Sequence, residues 1–411
     1  MSAPTPYRPF GIKAVNAIGG VLGKVGVKPS LEPDALIAAA QKQAGLSDFG
    51  GDEFRVGLEK ICESLNGEAR LNTIGRIAAA GNVGSRLATR LRVVEWRKHH
   101  PEIDAEKIER PIFVLGLPRT GTTVLYGLLA SNPALRSPTS WEIDQPVPPP
   151  ERGAAAYDPR VAAFDKNVEG INKIAPDVQQ IHPIAGMLPQ ECIAIHSMEC
   201  RSYEYVVTFP VPGYFNWLRE DGIRQSYARQ RWFLQHMQSG YGGDHWLLKS
   251  PAHLMWPDQL LEEFPDALFI QTHRDPAKVL GSVSSLYATF NAAMSDHSDA
   301  KKIGREQFEQ WQWGLGQMMK FRETLPEDRV IDVAFEDTLN DPMGTVRRIY
   351  DHFGLPHTEA IDQGVRDYLA ENPRDKHGLH SYSIEDFGLT RAEVGHAFAD
   401  YNDRFKVAME D

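Results

Sequence analysis

The spacing of apolar residues divides the chain into two parts with different predicted structure. Between residue 33 and about residue 100, apolar residues recur three and four positions apart, as in the stretches that begin at Asp34 and Asp52, and this period is typical of amphipathic helices. After Pro111 follows the unbroken apolar run Ile-Phe-Val-Leu-Gly-Leu, which indicates a strand buried on both faces of a parallel sheet. The change predicts a helical N-terminal region, residues 1–108, packed on a main domain, residues 109–411.

Three later apolar runs repeat the strand pattern. They begin at Trp246, Ala267 and Val330, and each is followed by loop residues and then by a helical pattern. Strand, loop and helix in repetition predict an α/β fold, a P-loop-like parallel sheet flanked by helices. The segment from about residue 146 to residue 240 opens on four prolines, is rich in aromatic residues and has few strand signals. It is predicted to be a helical insertion over the sheet.

Composition and charge exclude several classes of protein. With 42% hydrophobic and 24% charged residues the chain has the composition of a folded globular protein. A formal net charge of −11 disfavours a nucleic-acid-binding surface, so any anion must be bound by a few chosen residues. The three cysteines have no CxxC spacing, which argues against disulfides and a zinc site and favours the cytoplasm. Lysines interrupt the apolar stretch of residues 10–27, so membrane contact is expected only as weak surface association.

The first predicted strand runs directly into a glycine loop. Gly116-Leu-Pro-Arg-Thr-Gly-Thr-Thr123 is followed by a helical pattern, and in this setting backbone N–H groups and the helix dipole can hold a phosphate. The spacing is that of the nucleoside-triphosphate loop except that Thr122 stands at the lysine position. Arg119 is the loop's cation. An ATPase or GTPase is therefore disfavoured.

The Pro-Arg-Thr-Gly-Thr-Thr segment resembles the phosphosulfate-binding loop of sulfotransferases that use 3′-phosphoadenosine 5′-phosphosulfate (PAPS), in particular their bacterial branch. The resemblance implies one α/β domain in which this loop holds the 5′-phosphosulfate of the co-substrate. It further implies that Arg119 neutralises the bridging oxygen as the sulfuryl group leaves. The residues implied in binding are Arg119, Thr120, Gly121, Thr122 and Thr123.

A second segment matches the 3′-phosphate site of the same family. Arg274 stands at the carboxyl end of a predicted strand, and Ser282 follows eight residues later in a helix that Asp275 can cap. The guanidinium group of Arg274 offers two parallel donors suited to a phosphate. The resemblance therefore implies that Arg274 and Ser282 bind the 3′-phosphate.

Two further segments resemble parts of the family's nucleotide site. Phe335-Glu-Asp is similar to the Tyr-Glu-Asp segment beside the adenine, with the hydroxyl lost. A basic loop near residue 375 resembles the segment that folds over the 3′-phosphate and the purine, although histidine precedes its glycine where lysine is usual. The residues implied there are Arg374, Lys376, His377 and Gly378.

The chemistry of sulfuryl transfer requires fixed cations and a base, and no metal is needed if arginine and lysine stabilise the developing charge. Arg119 and Lys249 are the candidate cations. Lys249-Ser-Pro-Ala-His253 resembles the family's Lys-Thr-His segment, with two extra residues before the histidine. His253 is accordingly one candidate for the general base. Glu142, near the position of a catalytic glutamate in glycan-sulfating branches, is the rival, and the sequence leaves both open.

The sequence thus predicts an enzyme that transfers a sulfuryl group from PAPS to a hydroxyl or an amine by in-line displacement. The insertion is expected to bind a small-molecule acceptor. Glu191, within it, is a candidate to line that pocket, with a capping or other structural role as the alternative. Its aromatic cluster is typical of a core, but would suit a lipophilic alcohol, phenol or glycolipid if it faced the site. A nucleotide kinase or other P-loop phosphotransferase and a catalytically silent nucleotide-binding protein are the alternatives. A homodimer is expected only because twofold assemblies are common.

Overall fold

The structure is a computed structural model that describes residues 10–24, 28–174, 184–373 and 383–410. At its centre lies a sheet of five parallel strands in the order β2-β3-β1-β4-β5. The strands are β1 (Ile112–Gly116), β2 (Leu135–Arg136), β3 (His245–Lys249), β4 (Leu268–His273) and β5 (Val330–Ala334). Helices cover both faces of this sheet, so the predicted α/β fold is confirmed.

The register of the strands brings the predicted site to one edge of the sheet. Ile112 pairs with Leu268 and Gly116 with Thr272, while Val114 pairs with Lys249. β1 is the central strand, and the chain reaches its neighbours β3 and β4 on opposite sides. In open α/β sheets the crevice at such a reversal, beyond the carboxyl ends of the strands, is where ligands bind.

The four strands expected from apolar runs are present, with two differences in detail. β2 was not predicted, because two residues carry too little pattern to indicate a strand. The last predicted strand ends at Ala334, and Phe335 begins a helix instead. The ring of Phe335 therefore lies at the carboxyl edge of the sheet, beside the loop that follows β1.

Helices surround the sheet, and the first four of them precede it in the chain. These are α1 (Phe10–Lys24), α2 (Pro33–Ala44), α3 (Phe54–Gly67) and α4 (Thr73–His99). Between β1 and β3 lie α5 (Thr122–Ala130), α6 (Ser140–Asp144), α7 (Pro159–Ile174), α8 (Ile193–His196), α9 (Tyr203–Thr208), α10 (Pro212–Asp221) and α11 (Arg224–Gln238). The described part of the predicted insertion is therefore helical, as expected.

The remaining helices follow β3. They are α12 (Pro257–Glu263), α13 (Pro276–Met294), α14 (Ala300–Phe321), α15 (Phe335–Asn340), α16 (Pro342–Phe353), α17 (Glu359–Glu371), α18 (Arg391–Ala397) and α19 (Ala399–Phe405). Asp275 caps α13, since its Oδ1 accepts a 2.8 Å hydrogen bond from the N–H of Ala277. The cap predicted from the sequence is present, and it fixes the start of the helix that carries Ser282.

Side chains alternate between two cores, one on each face of the sheet. One face carries Val114 and Leu247 and packs against α5, α16 and α17. The other carries Phe113 and Leu248 and packs against a larger core, which includes residues of α2–α4 and of the insertion. The aromatic cluster of the insertion belongs mainly to this larger core, so its rings form structure rather than an open pocket. The boundary at residue 108 stays a prediction, although the helices before it share this core.

Three observations bear on the expected partners and cofactors. None of the helices in the described ranges is both long and apolar enough to cross a bilayer. α1 nevertheless exposes Phe10, Ile18 and Val21 to solvent. Within the described residues, no three His, Cys, Asp or Glu side chains form a group that could hold a metal ion.

Candidate active site

The loop after β1 depends on backbone conformations that favour glycine. Gly116 has φ 148° and Gly121 has φ 79°, and Arg119 between them has φ 65°. A Cβ on Gly116 would lie 2.6 Å from the carbonyl oxygen of Thr272 on β4, closer than packing allows. The loop can therefore lie tightly against β4 and present the N-terminus of α5 at the sheet edge, where a helix favours an anion.

The three threonines of the loop have different surroundings. Thr120 is fully buried, and its Oγ1 donates to the carbonyl oxygen of Leu117 at 2.6 Å and lies 2.5 Å from Thr272 Oγ1. This hydroxyl is therefore engaged in holding the loop together. Thr122 is also buried, whereas Thr123 is exposed on the first turn of α5.

The structure brings the two predicted phosphate sites into contact. Arg119 Nε donates to Ser282 Oγ at 3.1 Å, and Arg274 Nη1 donates to the carbonyl oxygen of Arg119 at 3.0 Å. The guanidinium of Arg274 lies over the ring of Phe335, 3.9 Å from its centroid. That ring also lies 3.0 Å from where a Cβ on Gly121 would be. Arg119 and Arg274, which are 155 positions apart in the chain, thus lie side by side with Ser282 and Phe335.

Arg274 also binds a carboxylate that the sequence did not indicate. Its Nε and Nη2 donate to the two carboxylate oxygens of Glu410 at 2.6 and 2.8 Å. These hydrogen bonds lower the pKa of the Glu410 carboxyl more than burial raises it, and the charges of Arg274, Lys278 and Arg391 add smaller lowering effects. No motif links residues 274 and 410, so only folding reveals the pair.

Lys249 lies on the same face of the sheet as α5. Strand side chains alternate, so Lys249 shares the face of Leu247, and its buried Nζ donates to Thr123 Oγ1 at 3.2 Å. The same Nζ lies 2.5 Å from Glu191 Oε1. The next residue, Cys192, donates its N–H to the carbonyl oxygen of Lys249, which fixes Glu191 beside the lysine. The sequence made Glu191 a candidate to line the acceptor pocket or to be a structural residue, and did not predict its contact with Lys249.

His253 lies on the opposite face of the sheet. Its ring packs edge-on against Phe113, 5.1 Å between centroids, and its Nδ1 lies 3.0 Å from Tyr227 Oη. Burial, with a smaller effect of the neighbouring His196, lowers its pKa well below the usual range. In the described part of the chain no hydrogen bond joins His253 to the loop or to Lys249. The two additional residues after Lys249 coincide with this different placement.

Glu142 is engaged in a helix cap. Its Oε2 accepts from the N–H of Thr139 at 2.8 Å, which completes a capping box at the start of α6. Its Oε1 lies 3.5 Å from Arg136 Nη2 and 3.4 Å from Tyr241 Oη. The side chain is only 2% exposed, so this carboxylate has a structural environment. The remaining predicted residues, Arg374, Lys376, His377 and Gly378, lie outside the described residues.

Comparisons with known proteins place these features in context. The model of a family described as the sulfotransferase family matches residues 111–359. The crystal structure of sulfotransferase STF9 from Mycobacterium avium superposes with a TM-score of 0.86 at 30% identity, covering 92% of this chain and 97% of that one. Sulfotransferase STF1 from Mycobacterium tuberculosis H37Rv superposes with a TM-score of 0.81 at 32% identity, covering 89% and 98%.

Two curated relatives are also named as sulfotransferases. Omega-hydroxy-beta-dihydromenaquinone-9 sulfotransferase Stf3 of Mycobacterium tuberculosis is 26% identical over 310 residues, which are 72% of this chain and 74% of that protein. The Stf3 of Mycobacterium bovis gives the same figures.

Proposed function

The chain belongs to the sulfotransferase family, and from that premise we propose that it transfers a sulfuryl group from PAPS to a hydroxyl or an amine of a lipophilic acceptor. The observation that carries the proposal is the contact between Arg119 of the loop and the Arg274–Ser282 pair. Two phosphate-type sites side by side suit a nucleotide that carries a phosphate at both ends of its ribose. Family membership makes the chain an enzyme of the sulfotransferase type and removes the kinase and the silent binding protein as alternatives.

In the proposed complex the loop and the N-terminus of α5 hold the 5′-phosphosulfate. The backbone N–H groups of the loop, rather than the buried hydroxyl of Thr120, are the donors there. Arg274 and Ser282 hold the 3′-phosphate, and Phe335 packs beside the nucleotide. MgATP would find neither a lysine at the Thr122 position nor a use for the second site.

The transfer itself needs positive charge where the leaving phosphate oxygens gain negative charge. Arg119 is exposed on the loop, and Lys249 points its Nζ to the first turn of α5. The acceptor oxygen attacks sulfur in line, the bond between sulfur and the bridging oxygen breaks, and 3′-phosphoadenosine 5′-phosphate leaves. The acceptor's proton must pass to a base.

We assign that proton to Glu191. Its carboxylate lies 2.5 Å from Lys249 Nζ and keeps 16% of its side-chain surface exposed, so it can meet a bound acceptor. Glu142 is almost fully buried and bonded in a helix cap, and His253 is almost fully buried on the other face of the sheet, packed against Phe113. Lys249 then links the two halves of the reaction, because it contacts both the base and the phosphate-binding helix.

The acceptor is proposed to be lipophilic because the curated relative Stf3 is named for a hydroxylated menaquinone derivative. An amphiphilic alcohol or phenol, or a glycolipid, is therefore the class to screen first. The exposed apolar residues of α1 are compatible with the weak membrane association expected from the sequence. That association, the homodimer and the cytoplasmic location stay predictions.

Ligand-dependent thermal stability tests the choice of nucleotide. We expect 3′-phosphoadenosine 5′-phosphate to raise the melting temperature at concentrations where MgATP does not, because a ligand that binds only the native state stabilises it. Adenosine 5′-monophosphate serves as the control without a 3′-phosphate and should stabilise less. Preference for MgATP, or loss of the shift on adding a chelator, would contradict the PAPS assignment.

Replacement of Glu191 tests the base. With an acceptor found by screening for sulfuryl transfer, Glu191→Gln should lower the single-turnover rate about 10²-fold, the size of a general-base contribution. The affinity for 3′-phosphoadenosine 5′-phosphate should change little, since the Glu191 carboxylate is paired with Lys249 and forms no hydrogen bond to those predicted nucleotide residues that the structure describes.

Two matched variants decide between the candidates. Glu142→Gln and His253→Gln should lower thermal stability, because both side chains are buried and bonded, while the transfer rate of the folded fraction stays near that of the wild type. A folded His253→Gln protein that loses 10²-fold, beside an active Glu191→Gln protein, would return the base to His253.

A further inference from the structure

The arginine proposed for the 3′-phosphate is held by a carboxylate of its own chain. Arg274 donates from both Nε and Nη2 to Glu410, which is the paired arrangement that an arginine makes with a phosphate. We propose that Glu410 is an internal competitor of the 3′-phosphate, which occupies Arg274 until a 3′-phosphorylated nucleotide displaces it. This inference rests on the proposed function, because it needs Arg274 to be the 3′-phosphate site.

The segment that carries Glu410 is anchored beneath the site. α19 packs against the end of β4, where Tyr401 Oη lies 3.0 Å from His273 Nδ1 and the ring of Phe405 stacks on His273 at 4.3 Å. Lys406 then turns the chain with a left-handed φ of 50°. Val407 N–H donates to the carbonyl oxygen of Asn402 and closes this turn. The chain after α19 is thereby directed back to Arg274.

The backbone of Glu410 has its own two bonds. Its N–H donates to Asp275 Oδ2 at 3.1 Å, and its carbonyl oxygen accepts from Arg391 Nη1 at 2.7 Å. Asp275 is at the same time the cap of α13. Because these bonds hold the backbone, the side chain can leave Arg274 by rotation about its own bonds. Glu410 thus stays next to the site whether its carboxylate is bound to Arg274 or has rotated away from it.

A 3′-phosphate can replace this carboxylate, whereas an unsubstituted ribose cannot. A phosphate has up to two negative charges and three oxygens that can bind both Arg274 and Ser282. Glu410 has one negative charge and, of these two residues, hydrogen-bonds only to Arg274. The two anions cannot share the same edge of the guanidinium, since like charges repel. Glu410 therefore weakens the binding of nucleotides with a 3′-phosphate, because their apparent affinity is the intrinsic affinity multiplied by the fraction of molecules in which Arg274 is accessible.

The alternative role for Glu410 predicts the opposite sign. If the carboxylate only positioned Arg274 for the phosphate, its removal would weaken nucleotide binding. Competition predicts that removal strengthens it. One variant therefore separates the two roles.

The test is calorimetric titration of the full chain with 3′-phosphoadenosine 5′-phosphate and with adenosine 5′-monophosphate. Glu410→Gln should tighten binding of the first about tenfold, as for a site that is accessible about one tenth of the time. Its affinity for the monophosphate should stay within about twofold of the wild type, because that ligand has no 3′-phosphate and does not compete with Glu410 for Arg274. Glu410→Ala should also tighten the binding of 3′-phosphoadenosine 5′-phosphate, which would show that the effect does not come from the amide group of glutamine.

Asp403→Asn is the matched control. It removes one negative charge from exposed surface of α19 and should leave both affinities unchanged, which excludes a general effect of net charge. Unchanged or weaker binding of 3′-phosphoadenosine 5′-phosphate in both folded Glu410 variants would overturn the inference. A wild-type protein that binds the two nucleotides equally well would instead overturn the 3′-phosphate site, and with it the proposed function.

Discussion

Replacing Lys249 with methionine is expected to lower the single-turnover rate of sulfuryl transfer about 10³-fold, the upper end of what one preorganised charge contributes. Lys249 is only 3% exposed, so its charge acts in a medium of low dielectric constant and is little screened. The leaving phosphate gains charge only as the bond to sulfur breaks. The affinity for 3′-phosphoadenosine 5′-phosphate should therefore fall much less than the rate.

The methionine variant also leaves Glu191 without its cation, so the lost rate has two sources. Lys249→Arg keeps a charge between Thr123 and Glu191 and should recover part of the rate, which a purely structural role of the side chain would not require. Lys320→Met, at an exposed position of α14, controls for the loss of one positive charge. A folded Lys249→Met protein that keeps a tenth of the wild-type rate would show that the lysine is not part of the chemistry.

The position of Lys249 was predictable because it depends on the sheet alone. In a parallel sheet every strand ends at the same edge, so a basic residue at the end of β3 and another just after β4 had to lie near the loop that follows β1. Arg274 and Ser282, which the family resemblance implied, lie near the same loop for a similar reason. Each lies where local secondary structure, strand end or capped helix, fixes its place.

Other parts of the site depend on contacts that the sequence pattern does not encode. The face on which a side chain lies changes with each added residue after a strand. Because two additional residues precede His253, the sequence did not show on which face of the sheet its ring would lie. Glu191 is placed by one backbone bond between Cys192 and Lys249, and Glu410 by a turn after α19. Neither bond leaves a trace in apolar spacing. For this reason the positions of Arg119, Lys249 and Arg274 at this edge of the sheet were predictable, whereas the positions of Glu191 and Glu410 beside them were not.

The second large effect concerns stability, because three of the buried histidines that the structure describes have no carboxylate beside them to stabilise a charged ring, unlike His273 beside Asp332. Burial lowers the pKa of His196 and of His236 to about 4 each, against 6.5 for an exposed imidazole, and lowers the pKa of His253 well below its usual range. A hydrogen bond to Gln230 Oε1 at 2.7 Å and one to the carbonyl oxygen of Pro146 at 3.0 Å hold the first two rings in place. All three are neutral in the native protein at pH 5.

Between pH 6.5 and about pH 4 the unfolded chain therefore binds protons at these histidines that the native protein does not. The stability they allow is complete above the unfolded pKa and is lost as the pH falls below it. Each histidine contributes about 1.4 kcal/mol per pH unit, so the three together should lower the free energy of unfolding by about 4 kcal/mol per unit below pH 6. Urea unfolding at pH 7, 6 and 5 measures this slope.

Variants at two histidines assign the slope to buried imidazoles. His196→Gln keeps a polar group beside Gln230 and removes one of the three protons, so it should reduce the slope by about one third even if the protein is less stable at pH 7. His352→Gln, at an exposed position of α16, should leave the slope unchanged. Stability that stays constant or rises from pH 7 to pH 5 would mean that these rings accept protons in the native state. His253 would then be more accessible than its contacts with Phe113 and Tyr227 indicate, and its candidacy as the base would be renewed.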